Sequence, residues 1–414
     1  MNLLAELERW LPAGVRDLVE RTGVYADEHG LRCCLVGGVV RDLLLCESSL
    51  DIDIVVEGDA VEAASHLAGF MGSRSIVHRE FGTATVPVGP FHIDFATARA
   101  ESYERPGALP AVRPGTMEED LSRRDFSVNA MAIVLNRERL GELLDPHSGR
   151  TDLAHGILRV LHPGSFVDDA TRILRGVRYE QRLGFTFEAV TLELLERDVR
   201  RLDTISADRV RHEFDRTFDE TEPRHALLRL DTLGALEAID PALSFGKEQA
   251  DALRSLCALR PGGPSVEAAM WCAFCWHVGP QDIDHVAARL NLPRRILDPL
   301  RDCRYLRSIE DRLAGDIRAS ETVHLLRERT PGSLLAARRL LVHPAARARV
   351  GAYIDHLRFV HSSVDGDALI EMGFPQGPSV GRVLERIRAA RLDGEVSSRA
   401  EELELARSLL SGLT

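Results

Sequence analysis

The sequence predicts an α+β protein, with a mixed α/β head over about residues 1–145 and a chain that is helical from there on. Three observations predict it. Short runs in which apolar and polar residues alternate, the signature of half-buried strands, fall in the first part of the chain, as at Phe91 to Thr97. Beyond residue 150 these signals fade and apolar residues recur at helical spacing. Leu35 to Val56 compresses strand, Gly-Gly break, helix and second strand into one stretch.

In that stretch Cys33 to Val36 is an apolar run that reads as a buried strand, ended by Gly37-Gly38. Val39 to Leu45 has helical spacing, with Arg41 and Asp42 on its polar side. After a polar break at Glu47 to Ser49, Leu50 to Val56 reads as a second strand. Side chains alternate across a strand, so Asp51 and Asp53 project from one face and Ile52 and Ile54 from the other. Two carboxylates this close must share a proton or hold a cation. Hard oxygen ligands suit Mg²⁺, which takes further ligands from phosphates. Gly37 and Gly38 lack Cβ atoms, so a ligand can approach the backbone, and N–H groups at the following helix start face an anion. Arg41 is placed to clamp phosphate through two parallel bonds. A solvated Asp-x-Asp edge or an ordinary turn explains either half alone; their combination points to a nucleotide site.

Composition sets the bounds. The chain has 414 residues, is 44% hydrophobic and 28% charged, and carries a net charge of -12. That suits a globular protein of several units and argues against a general nucleic-acid glue, without excluding a local basic groove. Lys247 is the sole lysine, so the cationic surface is arginine, the better residue for bidentate phosphate contacts. No apolar run approaches the roughly 18 residues of a membrane span. Met1 to Pro12 is amphipathic and unlike a signal peptide, so a cytoplasmic location and no membrane association are expected. Seven scattered cysteines make no disulfide framework. Cys272 and Cys275, among Trp271, Phe274 and Trp276, read as helical core rather than a zinc site.

Along the head, residues 1–32 read as helical and Ala60 to Met71 as a helix. Ile76 to Val88 reads as a turn and strand. Phe91 to Thr97 is a further strand, with His92, Asp94 and Ala96 on one face and Ile93, Phe95 and Thr97 on the other. Asp94 is the candidate third carboxylate, suited to binding or deprotonating an attacking hydroxyl. Tyr103 to Met117 is rich in Pro and Gly, has neither period, and reads as an ordered but movable loop. In Glu118 to Ala132, Leu121, Phe126, Val128 and Met131 form the apolar side, Arg123 and Arg124 are within reach of phosphate, and Asp125 is placed to fix an arginine.

Val-Gly-Gly-x-Val-Arg-Asp followed by Asp-x-Asp resembles the class II tRNA nucleotidyltransferases and bacterial poly(A) polymerases of the polymerase-β-like superfamily. The strand ending at Asp94 to Arg99 and the Arg-Arg-Asp-Phe-x-x-Asn-Ala at Arg123 to Ala130 resemble its next motifs. Cys46 departs from the pattern, standing where a Gly usually follows Leu-Leu. The loop at 103–117 corresponds to one the family links to adding the final A.

Farther on, Asp168-Asp169 precede a helix in which Asp169, Arg172, Arg175 and Arg178 recur every third residue as a stripe, with Ile173, Leu174 and Val177 buried. An Asp accepts from the amino group of C or A, and an Arg donates to the adjacent ring atom. By itself the stripe is an ordinary charged face. It resembles the family's Glu-Asp-x-x-Arg-x-x-Arg-x-x-Arg, with Asp168 in place of Glu. Ser206 to Glu213 resembles the family's Glu-Arg-x-x-x-Glu helix, with Asp208 replacing the first Glu, and is expected to brace the nucleotide helix. Arg294 to Arg312, with Arg338, Arg339, Arg347 and Arg349, form either a basic RNA surface or solvated faces balanced by acids. Asp365 to Gly381 looks like the tail element of tRNA-binding members, with a helix start after Gly377-Pro378 placed to hold a phosphate.

The resemblance implies a catalytic head at 1–145, a base-recognising neck at 146–220, a helical body at 221–290 and a tRNA-binding tail at 291–414. It implies building or repair of the 3′ CCA of tRNA from CTP and ATP with Mg²⁺ as cofactor, and no protein partner. Asp51 and Asp53 would hold the metal and Asp94 would help activate the RNA 3′ hydroxyl. Gly37, Gly38, Arg41 and Arg124 would hold triphosphate. Asp169 and Arg172 would select the base, with Arg175 and Arg178 beside them, meeting triphosphate or RNA phosphate. Addition of only A (less readily only CC), polyadenylation, and non-catalytic RNA or nucleotide binding stay open.

Overall fold

The structure is a computed structural model that describes residues 1–47, 51–102 and 110–411. It divides into two compact units, Met1–Glu213 with Thr232–Ile239, and Phe214–Asp231 with Asp240–Thr414.

The first unit begins with helices α1 (Leu4–Trp10) and α2 (Ala13–Glu28). Next come β1 (Arg32–Val36), α3 (Gly38–Leu45), β2 (Ile52–Glu57) and α4 (Ala60–Phe70). The remaining head strands are β3 (Ile76–His78), β4 (Thr83–Val88), β5 (Phe91–Thr97), β6 (Arg99–Ser102), β7 (Ala111–Pro114), β8 (Ala132–Val134) and β9 (Leu143–Leu144), with helix α5 (Met117–Ser122) between β7 and β8. Seven strands form one mixed sheet in the order β3-β4-β5-β2-β1-β8-β9. All its pairings are antiparallel except β2 with β5, which run parallel. The alternation read in β5 holds: Ile93 and Phe95 are fully buried while His92 and Asp94 are exposed. Ile52 and Ile54 of β2 are likewise buried. Leu50 and the end of the polar break before it lie outside the described residues.

The stretch expected to be a movable loop is partly strand. β6 and β7 pair as a separate antiparallel ribbon, Arg99 opposite Pro114 and Ser102 opposite Ala111. Its Pro and Gly content hid the pairing, because a two-stranded ribbon at a sheet's margin tolerates residues that a central strand does not. Residues 103–109 of that expectation lie outside the described residues.

After β9 the first unit is mainly helical: α6 (Gly149–His155), α7 (Ser165–Asp168), α8 (Thr171–Leu183), α9 (Ala189–Asp198) and α10, which begins at Ala207. A short parallel pair, β10 (Ile157–Leu158) with β11 (Thr186–Phe187), interrupts them. Gly176 of α8 is fixed by packing: a Cβ there would lie 2.7 Å from the Phe126 ring and 2.9 Å from that of Phe187.

The second unit consists of helices among the described residues. Trp271 and Phe274 of the helix Gly263–Phe274 pack with Phe214, Phe218 and Phe245. Cys272 and Cys275 are buried in this core, as read from their neighbours. The anticipated helix start after Gly377 is present, as Pro378–Leu392. Buried Glu402 accepts from the Ser363 and Val364 amides and from Arg391. Several arginines of the basic run are paired at the surface: Arg295 with Glu267, Arg301 with Asp284, Arg312 with Glu321 and Arg338 with Asp355. For these the balanced-face reading holds. No helix among the described residues is long and apolar enough to cross a membrane.

Cys46 closes α3 in the left-handed conformation, φ 58°. Its amide donates to Leu43 and that of Glu47 to Asp42, a C-terminal cap that favours glycine. A side chain in this conformation costs roughly 1–2 kcal/mol, partly offset by the greater entropy glycine loses on folding. Cys46→Gly is therefore expected to stabilise the protein by about 0.5–1 kcal/mol, measured as a raised melting temperature. An unchanged or lowered value would contradict this account of the cap.

Candidate active site

One turn, one short helix and one strand pairing build the site. Gly37, at φ 76°, ends β1 and opens α3. A side chain there would be strained, and its Cβ would lie 2.5 Å from Arg124 Nη1. The bare turn thus lets the Arg124 guanidinium lie against the backbone. Asp120, fully buried on α5, aims both neighbouring arginines: one carboxylate oxygen takes Arg123 at 2.6 Å and the other takes Arg124 at 2.9 Å. Against its burial, Arg124 and Arg123 hold the Asp120 carboxyl below the usual range.

Parallel pairing of β2 with β5 sets Asp53 directly beside Asp94. Asp51 stands just before β2, on the same face as Asp53. One oxygen from each of Asp51, Asp53 and Asp94 lies within 4.8 Å of the others. Thr85 of β4 donates to Asp94 and fixes its carboxylate. Burial, then Asp51, pushes Asp53 up to about 7; Arg124 opposes, and Asp94 adds to the rise. Three carboxylates crowded this way form an all-oxygen set that favours a hard divalent cation.

The polar side of α3 needs correcting. Arg41 and Asp42, read as the polar side of the helix, are both buried, at 4% and 7% exposure. Arg41 binds Asp42 at 2.7 Å and Asn129 Oδ1 at 2.6 Å. A buried guanidinium needs such partners, and the donors that seemed available to phosphate are used here inside the protein.

Asp125 holds an arginine, as expected, and it is Arg175, at 2.7 Å. Burial alone would raise the Asp125 carboxyl; the Arg175 charge and hydrogen bonds from Asn129 and Arg175 hold it at about 2. In turn Asp125 raises Arg175 above its ordinary value. Arg178 pairs with Glu213 at 3.2 Å. The stripe on α8 is therefore not a solvated face: Arg172 and Arg178 are buried, and Arg175 and Arg178 meet carboxylates of this chain in the positions foreseen for phosphate. Periodicity could not reveal this, because the counter-charges come from remote segments.

Asp169 lies between α7 and α8. One of its oxygens accepts from the Thr171 amide and hydroxyl, and the other from Arg209 at 2.6 Å. Arg172 donates to Ser165 Oγ and to the Arg123 carbonyl. Asp168 faces His162 at 3.6 Å. The brace expected from Ser206 to Glu213 is present and acts through Arg209 on Asp169 and Glu213 on Arg178, whereas Asp208 pairs with Arg211 on its own helix. Sequence reasoning missed Asp120, Asn129 and Tyr179. The first two carried a signal: Asp120 stands three and four residues before Arg123 and Arg124, and Asn129 four after Asp125.

The mixed sheet, the Gly-Gly turn over an arginine and the carboxylate trio define the class, a polymerase-β-like nucleotidyltransferase head joined to helical segments. Residues 33–159 match the Poly A polymerase head domain, and 184–245 match the probable RNA and SrmB-binding site of polymerase A. The chain is 31% identical over 419 residues to the A-adding tRNA nucleotidyltransferase of Halalkalibacterium halodurans, covering 99% of this chain and 96% of that protein. It is 34% identical to the A-adding tRNA nucleotidyltransferase of Geobacter sulfurreducens, over 97% of this chain but only 48% of that longer protein. The Thermotoga maritima CCA-adding enzyme complexed with tRNA superposes with a TM-score of 0.81 at 29% identity, covering 99% of each chain. The chain belongs to the class II tRNA nucleotidyltransferase and poly(A) polymerase family.

The raised Asp53 carboxyl has a consequence for stability. Its folded value, about 7, exceeds its ordinary 3.8, so between these limits the folded protein binds the extra proton. Without a divalent cation, stability then falls as pH rises through this window. In chelator, Asp53→Asn is expected to melt above wild type at about pH 8 and level with it at about pH 4. Equal melting at both pH values would refute the strained carboxylate pair.

Proposed function

We propose that this protein transfers nucleotides from CTP and ATP to the 3′ end of tRNA, building or repairing CCA without a nucleic-acid template. The observation that carries the reading is the carboxylate trio Asp51, Asp53 and Asp94 beside the Gly37 turn, in a chain of this family. The RNA 3′ oxygen bonds to the α-phosphorus, the bond to the β-phosphate bridging oxygen breaks, and pyrophosphate leaves with that electron pair. Asp94, held by Thr85, receives or orients the hydroxyl proton. Asp51 and Asp53 would hold Mg²⁺, which when bound supplies the positive charge that the triphosphate and the crowded acids require. The oxygen-only donor set and the raised Asp53 fit that ion. Gly37, Gly38 and Arg124 hold the triphosphate, with Arg41, bound to Asp42 and Asn129, beside Gly38.

Asp169 and Arg172 select the base. An ionised carboxylate only accepts and a guanidinium only donates, a pattern matched by C and A and mismatched by U and G. A carboxylate offers about four lone-pair positions, and three on Asp169 are taken by Thr171 and Arg209, leaving one for an exocyclic amino group. Arg175 and Arg178 support this helix through their ion pairs. The division into head, neck, body and tail at 1–145, 146–220, 221–290 and 291–414 belongs to this reading, as does a cytoplasmic location alongside tRNA.

A second reading, addition of only the terminal A, is favoured by the names of the two relatives. One experiment separates them: purified protein with tRNA ending in the discriminator base, in C or in CC, each NTP supplied singly. A CCA-adding enzyme extends the first two with CTP and the third with ATP; an A-adding enzyme extends only the third. Asp53→Ala, folded, should lose most incorporation in either case. Long A tails on any RNA would indicate polyadenylation, and no incorporation by folded wild type would leave a binding protein.

A further inference from the structure

Tyr179 of α8 lies at the centre of an unusual cluster. The guanidinium carbons of Arg41, Arg175, Arg178 and Arg182 lie 5.4, 5.6, 5.1 and 5.2 Å from its ring centre. Three of these arginines share α8 with it. Arg41 comes from α3, the helix opened by the Gly-Gly turn. Tyr179 is 8% exposed, and its hydroxyl takes a hydrogen bond from Arg175 at 3.1 Å. Phe126 meets its edge at 6.2 Å, nearly perpendicular.

Four like charges around one point repel strongly at low effective dielectric. Among the carboxylates that answer this are Asp42 for Arg41, Asp125 for Arg175 and Glu213 for Arg178. The electron-rich ring face supplies attraction at the point the cations share. The ring meets both the α3 arginine and the α8 arginines. A parallel polar path runs from Asp42 through Arg41, Asn129 and Asp125 to Arg175. That path fixes direction by hydrogen bonds, while the ring fixes separation by contact.

We propose that Tyr179 is a positioning residue for nucleotide recognition: its ring, by holding Arg41 and the α8 arginines together, sets the distance between the triphosphate-holding turn and the base-selecting helix. The inference rests on the functional reading above and assigns it a ruler. Phosphate contacts at one end and base contacts at the other are made by one ligand, so an error in separation weakens both. Tyr179 itself touches no substrate in this account.

The test is equilibrium binding of ATP and GTP to the purified full chain, with tRNA extension measured in parallel. Tyr179→Phe keeps the ring and is expected to bind ATP within a few-fold of wild type. Tyr179→Met keeps comparable bulk without a ring face; it should bind ATP about tenfold more weakly and narrow the preference for ATP over GTP. Pentafluorophenylalanine at position 179 keeps the ring's outline but reverses its face charge, and should behave like Tyr179→Met. Equal binding by the Phe and pentafluorophenylalanine proteins overturns the proposal even if Tyr179→Met fails to fold, because a purely steric role predicts that equality. Wild type that binds no ATP overturns it too. Wild type that binds ATP but extends no tRNA refutes the functional reading alone.

Discussion

The pair of buried Asp125 with partly buried Arg175 is the interaction on which the rest of the first unit's polar interior depends. Its cost is high, since the Asp125 carboxylate has left water and Arg175 has lost much of its hydration, and attraction repays that only with close geometry and further hydrogen bonds. Both conditions are met. Arg175 reaches one oxygen of Asp125 through two nitrogens, and Asn129 and the Phe126 amide occupy the other. Asn129 then faces Arg41, and Arg41 faces Asp42. Each member is satisfied by the next, so the path from α3 to α8 has a single low-energy arrangement. Breaking any link strands a charge in the interior, which is more expensive than never burying it.

This arrangement explains why the Arg-Arg-Asp-Phe segment is dense with contacts. Asp125 ties α8, while Phe126 packs against the bare backbone at Gly176, where a methyl group has no room. Arg123 supplies both a side chain to Glu101 and Asp120 and a carbonyl to Arg172. Arg124 lies on the Gly37 turn. Four consecutive residues thus contact the ribbon strand β6, α5, α8 and the turn, and the geometry of the candidate site follows from their packing more than from any loop.

Much of the head was legible because its chemistry obeys local rules. Alternation placed Asp53 and Asp94 on the side of their strands opposite buried Ile52, Ile54, Ile93 and Phe95, and Gly37-Gly38 announced the break between β1 and α3. The burial of Arg41, Arg172 and Arg178 was not legible. Arginine is ordinarily a surface residue, and the carboxylates that permit its burial lie far away along the chain, as Glu213 does from Arg178. Tyr179 had no local mark either: one aromatic on a helix reads as core, and only folding gathers four guanidiniums around it. The β6–β7 ribbon escaped for a related reason, since its strands are recognisable only once paired.

The parallel alignment of β2 and β5 also restricts how this sequence can change in length. Asp94 stands opposite Asp53 because β4 and β5 are joined by Gly89 and Pro90 alone, with Val88 across from Phe91. Adding one residue within β5 ahead of Asp94 would turn its carboxylate to the opposite face, into the space now filled by Ile93 and Phe95. The short hairpin therefore behaves as a spacer whose length the register fixes even though it carries no reactive group. Insertions that most surface turns absorb would here disassemble the acidic trio.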